Sequence, residues 1–549
     1  MSSPIIFPVN DSVNHPPDIE LLGAKGANLV SMASIGLPVP PAFIISTQVG
    51  LKFAQGDENI GAQIQGEVKQ SIAELELRMQ RQFGGGRNPL LLSVRSGAPA
   101  SMPGMMDTIL NLGMNDETVV ALENETGDAH FAWDSYRRFI QSMSHVVFDL
   151  DPDDFEDELT DLREQYGFEN DNELSVDDLK SITAGFLKTF EREAERPFPQ
   201  DVWEQLDLAL TAVFGSWNSD RAKHFRKMHN LNEESGTAAV VQSMVFGNRD
   251  QNSCTGVYFT RNPSTGLNEP YGEYMLQAQG EDVVSGIRTP MELTDKGRAQ
   301  AFSDNPSMES ALPEAFADLL EAGDVLESQF KDMQEIEFTV EAGKLFLLQT
   351  RSGKRSPKAG LRMAVEMAEA ELISKQEAVN RIDAQSMSAM LISKVAPKVG
   401  TRPFTKGLPA SPGALIGELV FSSEDAVVAK AEDKSVILVR PETDPRDIKG
   451  MDAAVGILTT KGGMTSHAAV VARGMGKPCI TAAMTMKIDQ ELMRCSCAGV
   501  VLNAGDIVTL DGSNGHVFVG EQPIHTPEPD GNILKMMGWM KEVPSDSAN

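Results

Sequence analysis

The chain has 549 residues and a formal net charge of −31, from 48 Lys and Arg against 79 Asp and Glu. At roughly 150 residues per domain, this length predicts three to four domains. The hydrophobic content of 41% excludes a globally disordered chain. The negative charge argues against nucleic acid or an anionic membrane as a main partner, although an anionic substrate can still bind in a local basic pocket.

The cysteine content and the apolar runs point to a cytoplasmic protein. No apolar run approaches the ~18 residues that a membrane span needs, and the first residues lack the features of a signal peptide. Cys254, Cys479, Cys495 and Cys497 are too few for a disulfide framework in a chain of this length, and they lack the C-x-x-C pairs of a zinc site. We therefore expect four free thiols.

The first two segments of the chain differ in character. Residues 1–110 are rich in glycine and proline, and their short apolar runs at 42–45 and 90–94 predict buried strands beside helices. Residues 111–235 predict a mostly helical insert. Its stretch 149–178 has 14 acidic residues against one arginine, which is typical of a solvated surface.

The remaining segments predict a second sheet, a linker and a further α/β domain. Residues 236–355 return to the alternation of strands. Four runs carry this pattern: 237–246, 256–260, 335–340 and 344–349. Residues 356–395 have the composition of a helical linker between domains. Residues 396–525 predict a compact, glycine-rich α/β domain, and residues 526–549 a tail with one amphipathic stretch near Trp539.

The most informative motif lies at residues 461–478 and reads Lys-Gly-Gly-Met-Thr-Ser-His-Ala-Ala-Val-Val-Ala-Arg-Gly-Met-Gly-Lys-Pro. Its Thr465 and Ser466 are N-cap types and helix-forming residues follow, so His467 is predicted at a helix N-terminus. The free N–H groups and the dipole there would stabilise a phosphate on the imidazole and keep the ring a neutral nucleophile. A lone histidine can equally be structural.

Charged residues elsewhere fit a nucleotide site in this otherwise acidic protein. Lys25, Arg95, Arg138 and Arg351 could hold a triphosphate and offset charge during phosphoryl transfer. Glu335 and Glu337, two residues apart, share one face of a predicted strand. With the amide oxygen of Gln349 on the next strand they form a hard-oxygen site suited to Mg²⁺. Taken alone, the two glutamates would also fit a solvated strand face.

The motif around His467 resembles the phosphohistidine signature of the pyruvate, phosphate dikinase family. The resemblance continues over nearly the whole chain, in strings at residues 22–29, 93–97, 101–113, 131–139, 259–266, 278–284 and 332–338. It implies an ATP-grasp nucleotide-binding module with a helical insert, in which residues 1–110 form the first part and 236–355 the second lobe. It also implies a swivelling phosphohistidine domain at residues 396–525.

The resemblance also assigns site residues. Nucleotide and metal positions fall on Lys25, Arg95, Glu335, Glu337, Gln349 and Arg351. Positions around inorganic phosphate fall on Arg138, Gly256, Glu281, Asp282 and Arg351. Glu335 stands where the family usually has aspartate, one methylene shorter. Gly104 falls in the family's loop over the phosphates, and Thr465 at a position that is regulated by phosphorylation in some members, with helix capping as its alternative role.

The implied reaction is phosphorylation of His467 by ATP with release of AMP, with Mg²⁺ as cofactor and phosphate or water taking the other phosphoryl group. The family's full-length members continue into a barrel that binds pyruvate and phosphoenolpyruvate. We therefore expect only the ATP half-reaction here, with the acceptor on a separate barrel protein, and a possible homodimer. The alternatives are a subunit of a related synthase that phosphorylates an alcohol or phenol, and a non-catalytic nucleotide-sensing protein.

Overall fold

The computed structural model describes residues 5–10, 18–57, 59–100, 102, 105–167, 173–233, 235–285, 289–382, 394–398, 400–525 and 529–542. The architecture is mixed α/β, with several sheets in two compact units. The first unit comprises Met1–Val245 and Phe346–Gln349, and the second comprises Phe246–Leu345 and Thr350–Asn549. The six-segment division made from the sequence is finer than this grouping and stays a prediction.

The first unit is built on a five-stranded sheet. Its strands are β1 Ile6–Val9, β2 Ala42–Ile45, β3 Leu92–Gly97, β4 Thr108–Leu112 and β5 Ala238–Ser243. Their order is β1-β2-β5-β3-β4, and each neighbouring pair is antiparallel. Every residue of β2 and β5 is buried, as expected for short apolar strands inside a sheet. The two strands predicted from the runs at 42–45 and 90–94 are thus present as β2 and β3.

Nine helices surround this sheet within the part of the first unit that the structure describes. They are α1 Ile19–Ser34, α2 Thr47–Ala54, α3 Ile60–Met79, α4 Asp116–Thr126, α5 Ala129–Phe148, α6 Asp153–Tyr166, α7 Val176–Ala194, α8 Val202–Gly215 and α9 Asp220–Met228. Helices α4 to α9 confirm the helical character predicted for residues 111–235. Asn115 and Ser175 begin α4 and α7 with reciprocal capping boxes, which explains where these helices start.

The second unit begins with another five-stranded sheet. Its strands are β6 Cys254–Phe259, β7 Tyr271–Leu276, β8 Met291–Glu292, β9 Gln334–Glu341 and β10 Lys344–Ser352, in the order β10-β9-β6-β7-β8. Four residues of β10 group with the first unit. The strands predicted near residues 256, 335 and 344 are confirmed, whereas β7 was not predicted.

The glycine-rich part of the second unit forms a larger, mixed sheet. Its further strands are β11 Lys394–Val395, β12 Thr405–Lys406, β13 Leu408–Ser411, β14 Ala414–Val420, β15 Val436–Arg440, β16 Gly456–Thr459, β17 Cys479–Thr481, β18 Lys487–Asp489, β19 Arg494–Cys497, β20 Val500–Asn503, β21 Ile507–Asp511, β22 His516–Val519 and β23 Ile524–His525. Eight of them form one sheet in the order β12-β22-β21-β14-β15-β16-β17-β13, with parallel pairing from β14 to β17. The strands β18 to β20 form a small sheet of their own, and β11 pairs with β23.

The described helices of the second unit include the one that carries the predicted histidine. They are α10 Gly280–Ser285, α11 Asp295–Ala301, α12 Met308–Ala311, α13 Pro313–Phe330, α14 Pro357–Glu369, α15 Lys375–Asn380, α16 Ser423–Ala431, α17 Ile448–Ala453, α18 His467–Gly474 and α19 Gly531–Glu542. The predicted amphipathic stretch near Trp539 is α19. Its Ile533 and Met536 are buried against Leu361 and Val365 of α14. The segment with linker composition therefore contains a helix with a packed apolar face.

All four cysteines are buried and free, which confirms the expected free thiols. None of the helices in the described ranges is long and apolar enough to cross a membrane.

Candidate active site

His467 is the first residue of α18, so the helix begins where the sequence predicts. The preceding Ser466 has extended backbone angles and is the N-cap, although its side chain makes no capping hydrogen bond. The first backbone N–H groups of a helix have no partner within the helix, and the helix dipole is positive at this end. A phosphoryl group carried on His467 would therefore lie in a favourable field.

The two ring nitrogens of His467 have different surroundings. Thr443 Oγ1 lies 3.1 Å from Nδ1. Nε2 is buried, and no group in the described residues forms a hydrogen bond with it. Burial lowers the pKa of His467, and the carboxylates of Asp444 and Asp447 oppose this shift only in part. The ring is therefore neutral at neutral pH, and Nε2 is the nitrogen left for chemistry.

A carboxylate from β7 holds the turn that precedes His467. Glu273 Oε1 accepts a hydrogen bond from the Met464 backbone N–H at 2.8 Å, and Oε2 accepts one from the Thr465 hydroxyl at 2.9 Å. A Cβ atom on Gly463 would overlap this carboxylate, so the close approach requires glycine. Burial raises the pKa of Glu273, and the hydrogen bonds from Met464 and Thr465 work against that rise.

Glu273 was missed in the sequence, and the helix-capping alternative for Thr465 was wrong. The N-cap residue is Ser466, and the Thr465 hydroxyl is directed to Glu273. The available signal was a single glutamate inside the otherwise uncharged run Tyr271–Leu276, which is now known to be a strand. Because a lone buried carboxylate is costly, such a residue needs a partner from another element.

Two of the predicted nucleotide-site residues form an ion pair on neighbouring strands. Arg351 Nη2 on β10 donates to Glu335 Oε1 on β9 at 2.5 Å. Glu335 is only 4% exposed, which excludes the solvated-face alternative for this residue. Burial lowers the pKa of Arg351, but attraction to Glu335, with a smaller contribution from Glu337, raises it above its ordinary value. Among the described residues, Glu335 Oε2 and Arg351 Nε have no hydrogen-bond partner.

The other phosphate-site residues of the second unit occupy different local environments. A Cβ atom on Gly256 would lie 2.7 Å from the Phe338 ring, so this glycine has a packing reason within its sheet. Asp282 Oδ2 accepts a hydrogen bond from the Gln279 backbone N–H at 2.9 Å, at the start of α10. Its neighbour Glu281 is exposed.

In the first unit, the structure brings Arg95 close to the backbone beside Gln349. Arg95 Nη1 on β3 donates to the Leu348 carbonyl oxygen at 3.4 Å. Gln349 is 5% exposed and half-buried Lys25 lies on α1. The backbone of α1 also meets the end of β3, because the Ala24 N–H donates to the Ala98 carbonyl oxygen at 2.9 Å.

Arg138 is held by a carboxylate on its own helix, α5. Its Nε donates to Asp134 Oδ2 at 2.8 Å, and Arg137 Nη2 donates to Asp134 Oδ1 at 2.5 Å. Burial raises the pKa of Asp134, but Arg138 and Arg137 outweigh burial and hold this pKa well below its usual range. Asp134 lay within the family-like string but was not singled out. The spacing of four residues on a helix was the signal for it.

The candidate residues are divided between the two units. The first unit contains Lys25, Arg95, Arg138 and Gln349. The second contains Gly256, Glu281, Asp282, Glu335, Glu337, Arg351, Thr465 and His467. Gly104 lies outside the described residues. The described residues hold no cluster of three or more His, Cys, Asp or Glu side chains that could bind a metal ion.

Comparison with known proteins matches both units. Residues 19–311 match the family described as "Pyruvate phosphate dikinase, AMP/ATP-binding domain", and residues 432–515 match "PEP-utilising enzyme, mobile domain". The chain is 51% identical over 522 residues to pyruvate, phosphate dikinase of Rhizobium meliloti, covering 95% of this chain and 58% of that protein.

Relatives from eukaryotes are similar over the same part of their length. Pyruvate, phosphate dikinase 2 of Oryza sativa is 43% identical, and the match covers 95% of this chain and 58% of the relative. The Entamoeba histolytica pyruvate, phosphate dikinase is also 43% identical, with 95% and 59% covered. The chain thus spans somewhat more than half the length of these relatives. On these matches, the chain belongs to the pyruvate, phosphate dikinase family.

Proposed function

We propose that this protein is an ATP-dependent phosphotransferase in which His467 takes a phosphoryl group from ATP and passes it to pyruvate. The observation that carries the proposal is the position of His467. It starts a helix, its Nδ1 lies beside the Thr443 hydroxyl, and its Nε2 forms no hydrogen bond within the described residues. The names of the relatives favour pyruvate over an alcohol or a phenol as the acceptor. They also give no support to a non-catalytic nucleotide sensor.

The first chemical step is attack of His467 Nε2 on the β-phosphorus of ATP. The new N–P bond forms as the bond to the AMP oxygen breaks, and AMP leaves. The γ-phosphoryl group then passes to phosphate or to water, and the β-phosphoryl group stays on Nε2. Attack from Nε2 requires the tautomer in which Nδ1 carries the ring proton. In that tautomer the Nδ1–H can donate a hydrogen bond to the Thr443 hydroxyl oxygen. Thr443 thereby holds the reactive tautomer and the ring orientation.

The charged residues are proposed to bind ATP and phosphate. Lys25, Arg95, Glu335, Glu337, Gln349 and Arg351 are assigned to ATP, and Arg138, Gly256, Glu281, Asp282 and Arg351 to phosphate. The cations offset the charge that phosphoryl transfer moves between oxygens. Asp134 and Glu335 each hold one of these guanidinium groups in place.

Magnesium is the cofactor that the donor chemistry fits. Glu335 already shares its carboxylate with Arg351, so we propose the Glu337 carboxylate and the Gln349 amide oxygen as metal ligands. Both are hard oxygen donors, as Mg²⁺ prefers. When bound, Mg²⁺ would offset the negative charge of the phosphate groups. The protein residues named here bind and orient the nucleotide.

We also propose that the AMP/ATP-binding part is an ATP-grasp module and that residues 396–525 swivel. A histidine that must reach ATP and then an acceptor needs a domain that moves. Support comes from the match of residues 432–515 to a mobile domain. This matched domain is part of the chain itself. The match therefore gives no support to a separate partner protein that carries a barrel.

The experiment that tests the function is transfer of label from ATP. With Mg²⁺ and ATP labelled at the β-phosphate, the protein should gain an acid-labile, alkali-stable label and release AMP. His467→Asn should gain none and still fold, because the smaller asparagine side chain fits the space of the half-buried imidazole. His525→Asn, at an exposed position on β23, is the matched control and should be labelled like the wild type. Equal labelling of His467→Asn would overturn the assignment.

The half-reaction is tested separately. The residues assigned here serve ATP, phosphate, Mg²⁺ and the phosphohistidine, and none is assigned to pyruvate. With ATP, phosphate and pyruvate, the 549-residue chain should therefore form no phosphoenolpyruvate above background, and an added barrel domain should restore turnover with a rate that depends on its concentration. Phosphoenolpyruvate made by the chain alone would show that it holds its own acceptor site.

A further inference from the structure

The side chain of Arg473 runs from the last turn of α18 back to the turn that precedes the helix. Arg473 lies six residues after His467 and is 1% exposed. Its Nη2 donates to the Met464 carbonyl oxygen at 2.6 Å, and its Nη1 donates to the Ala410 carbonyl oxygen on β13 at 3.0 Å. The Arg473 guanidinium thus connects the end of α18 both to the turn that precedes the helix and to strand β13.

Arg473 is bound by backbone carbonyls and not by a carboxylate. Within the described residues it forms no ion pair, and burial lowers the pKa of its guanidinium although Tyr271 and Glu335 act against this. Burying a cation is costly unless strong hydrogen bonds replace its water. An aliphatic side chain would fill this interior without that cost. The hydrogen bonds to the two carbonyl oxygens therefore account for a charged side chain at this buried position.

The backbone N–H and the backbone carbonyl oxygen of Met464 are each anchored by a hydrogen bond to a side chain. The two side chains come from different parts of the chain. Glu273 of β7 binds the Met464 N–H, and Arg473 binds the Met464 carbonyl. Arg473 lies inside the segment that matches a mobile domain, whereas Glu273 lies outside that segment. If residues 396–525 swivel, as proposed above, the hydrogen bond that the Met464 N–H donates to Glu273 breaks, and the one that Arg473 donates to the Met464 carbonyl oxygen remains.

We propose that Arg473 is a positioning residue for His467: by anchoring the Met464 carbonyl it preserves the turn that presents the histidine when Glu273 is not bonded to it. The inference rests on the proposed phosphotransfer function. Arg473 touches neither the ring nor the phosphoryl group, so it acts through the backbone of residues 464–466. Its loss leaves the chemistry of the imidazole unchanged but lets the ring leave the geometry for attack.

A second cation on the same domain, the half-buried Lys477, provides the matched control. Lys477 Nζ donates to the carbonyl oxygens of Met451 at 3.0 Å and Ala454 at 2.7 Å, and also to that of Asp452. This is the same kind of bond, from a cation to backbone carbonyls, but it ties the end of α17 and not the histidine turn. Lys477→Met should lower the melting temperature and leave the phosphorylation rate unchanged.

The test compares full-length Arg473→Met, Arg473→Lys and Lys477→Met at a temperature where each is folded. The maximal rate of His467 labelling at saturating ATP should fall about tenfold in Arg473→Met, with half-saturation by ATP unchanged, because the nucleotide residues are not altered. Arg473→Lys should recover part of the rate, since an ammonium can bind one carbonyl but lacks the fork of the guanidinium. If Arg473→Met does not fold, the maximal rate of Arg473→Lys is compared with that of the wild type instead.

The outcomes separate this inference from the function on which it rests. Absence of label in the wild type refutes the phosphotransfer function. A labelled wild type with an undiminished maximal rate in folded Arg473→Met, or in Arg473→Lys where only that variant folds, refutes the positioning role. Arg473→Met should also slow labelling more in a Glu273→Ala background than in the wild type, because Met464 then has neither anchor. Strictly additive effects would overturn the shared anchoring of Met464.

Discussion

Arg138 in the first unit and His467 in the second are positioned by different means. Arg138 is held by Asp134, four residues earlier on the same helix, through an ion pair. His467 is held by Thr443, from a loop 24 residues earlier, while its turn is anchored by Glu273, which is 191 residues from Met464. The proposed phosphate-binding cation Arg138 is thus fixed locally, and the histidine is fixed by elements distant in the sequence.

The difference has a physical reason. A guanidinium that binds phosphate must stay charged, and a nearby carboxylate keeps it oriented and stabilises the cation. A nucleophilic histidine must stay neutral. A direct ion pair with a carboxylate would raise its pKa and favour the protonated ring, which is not nucleophilic. A hydroxyl on Nδ1 and anchors on the neighbouring backbone orient the ring without raising its pKa. The predictions below change one kind of contact at a time, from the largest expected effect to the smallest.

The largest effect is expected at Arg351. Arg351→Met removes a proposed phosphate-binding cation and leaves the buried Glu335 carboxylate without its ion pair. We expect labelling of His467 to fall by about 10²–10³, and Mg-ATP to raise the melting temperature far less than in the wild type. Arg249→Met, which breaks the ion pair with Glu341 at the other end of β9, is the control and should keep its labelling. Equal losses in both variants would show that strand β9, not the site, was damaged.

Asp134 tests the local arrangement in the first unit. Asp134→Asn removes the ion pair between the buried Asp134 carboxylate and Arg137, whose side chain is 3% exposed, and this should destabilise the first unit by about 3 kcal/mol. The pKa of Asp134 is lowered in the folded state, so its stabilisation is present above the ordinary aspartate value and is lost as pH falls through the lower folded value. Denaturant unfolding can be followed by fluorescence, because three of the four tryptophans, Trp133, Trp203 and Trp217, belong to this unit. An unchanged unfolding midpoint at neutral pH would contradict the prediction.

Thr443 tests the distant arrangement. Thr443→Val keeps the shape of the side chain but removes the oxygen beside Nδ1, and we expect His467 labelling to slow about tenfold with little change in stability. Thr443→Ser should restore most of the rate. Because the pKa of His467 is lowered, the rate in the wild type should hold below the ordinary histidine pKa before protonation reduces it. A wild-type rate in Thr443→Val would remove the tautomer argument.

The residues predicted from the sequence are those whose chemistry is set locally. The start of α18 at His467 followed from its own turn and cap residues, and the strand carrying Glu335 and Glu337 followed from apolar alternation. Helices over residues 111–235 followed from composition and spacing. The paired role of Arg351 and Glu335 needed the adjacency of β9 and β10, which spacing alone does not give.

The sequence analysis did not find Glu273 or the contacts of the Arg473 side chain. Each acts through a hydrogen bond to the backbone of Met464, and a backbone group carries no residue-specific signal. The strand that carries Glu273 was itself missed, because its short run Tyr271–Leu276 contains a glycine and a glutamate that weaken the alternation of a strand. Asp134, by contrast, could be predicted from its spacing, because residues four apart on a helix are neighbours and Arg138 follows it by four.

The smallest effect concerns Glu292, a carboxylate that, unlike Asp134, has a second carboxylate as its neighbour. Glu292 on β8 lies opposite Glu273 on β7, and burial together with Glu273 raises the pKa of Glu292 to about 7. A raised acid pKa means that the folded state binds the proton more tightly, so stability falls as pH rises from the ordinary value of 4.5 to about 7. Glu292→Gln should therefore be more stable than the wild type at pH values above this window, by no more than about 1 kcal/mol after solvent screening. Thermal unfolding of both proteins below and above the window measures this, and a difference that does not change with pH would show that the Glu273–Glu292 pair does not titrate as described.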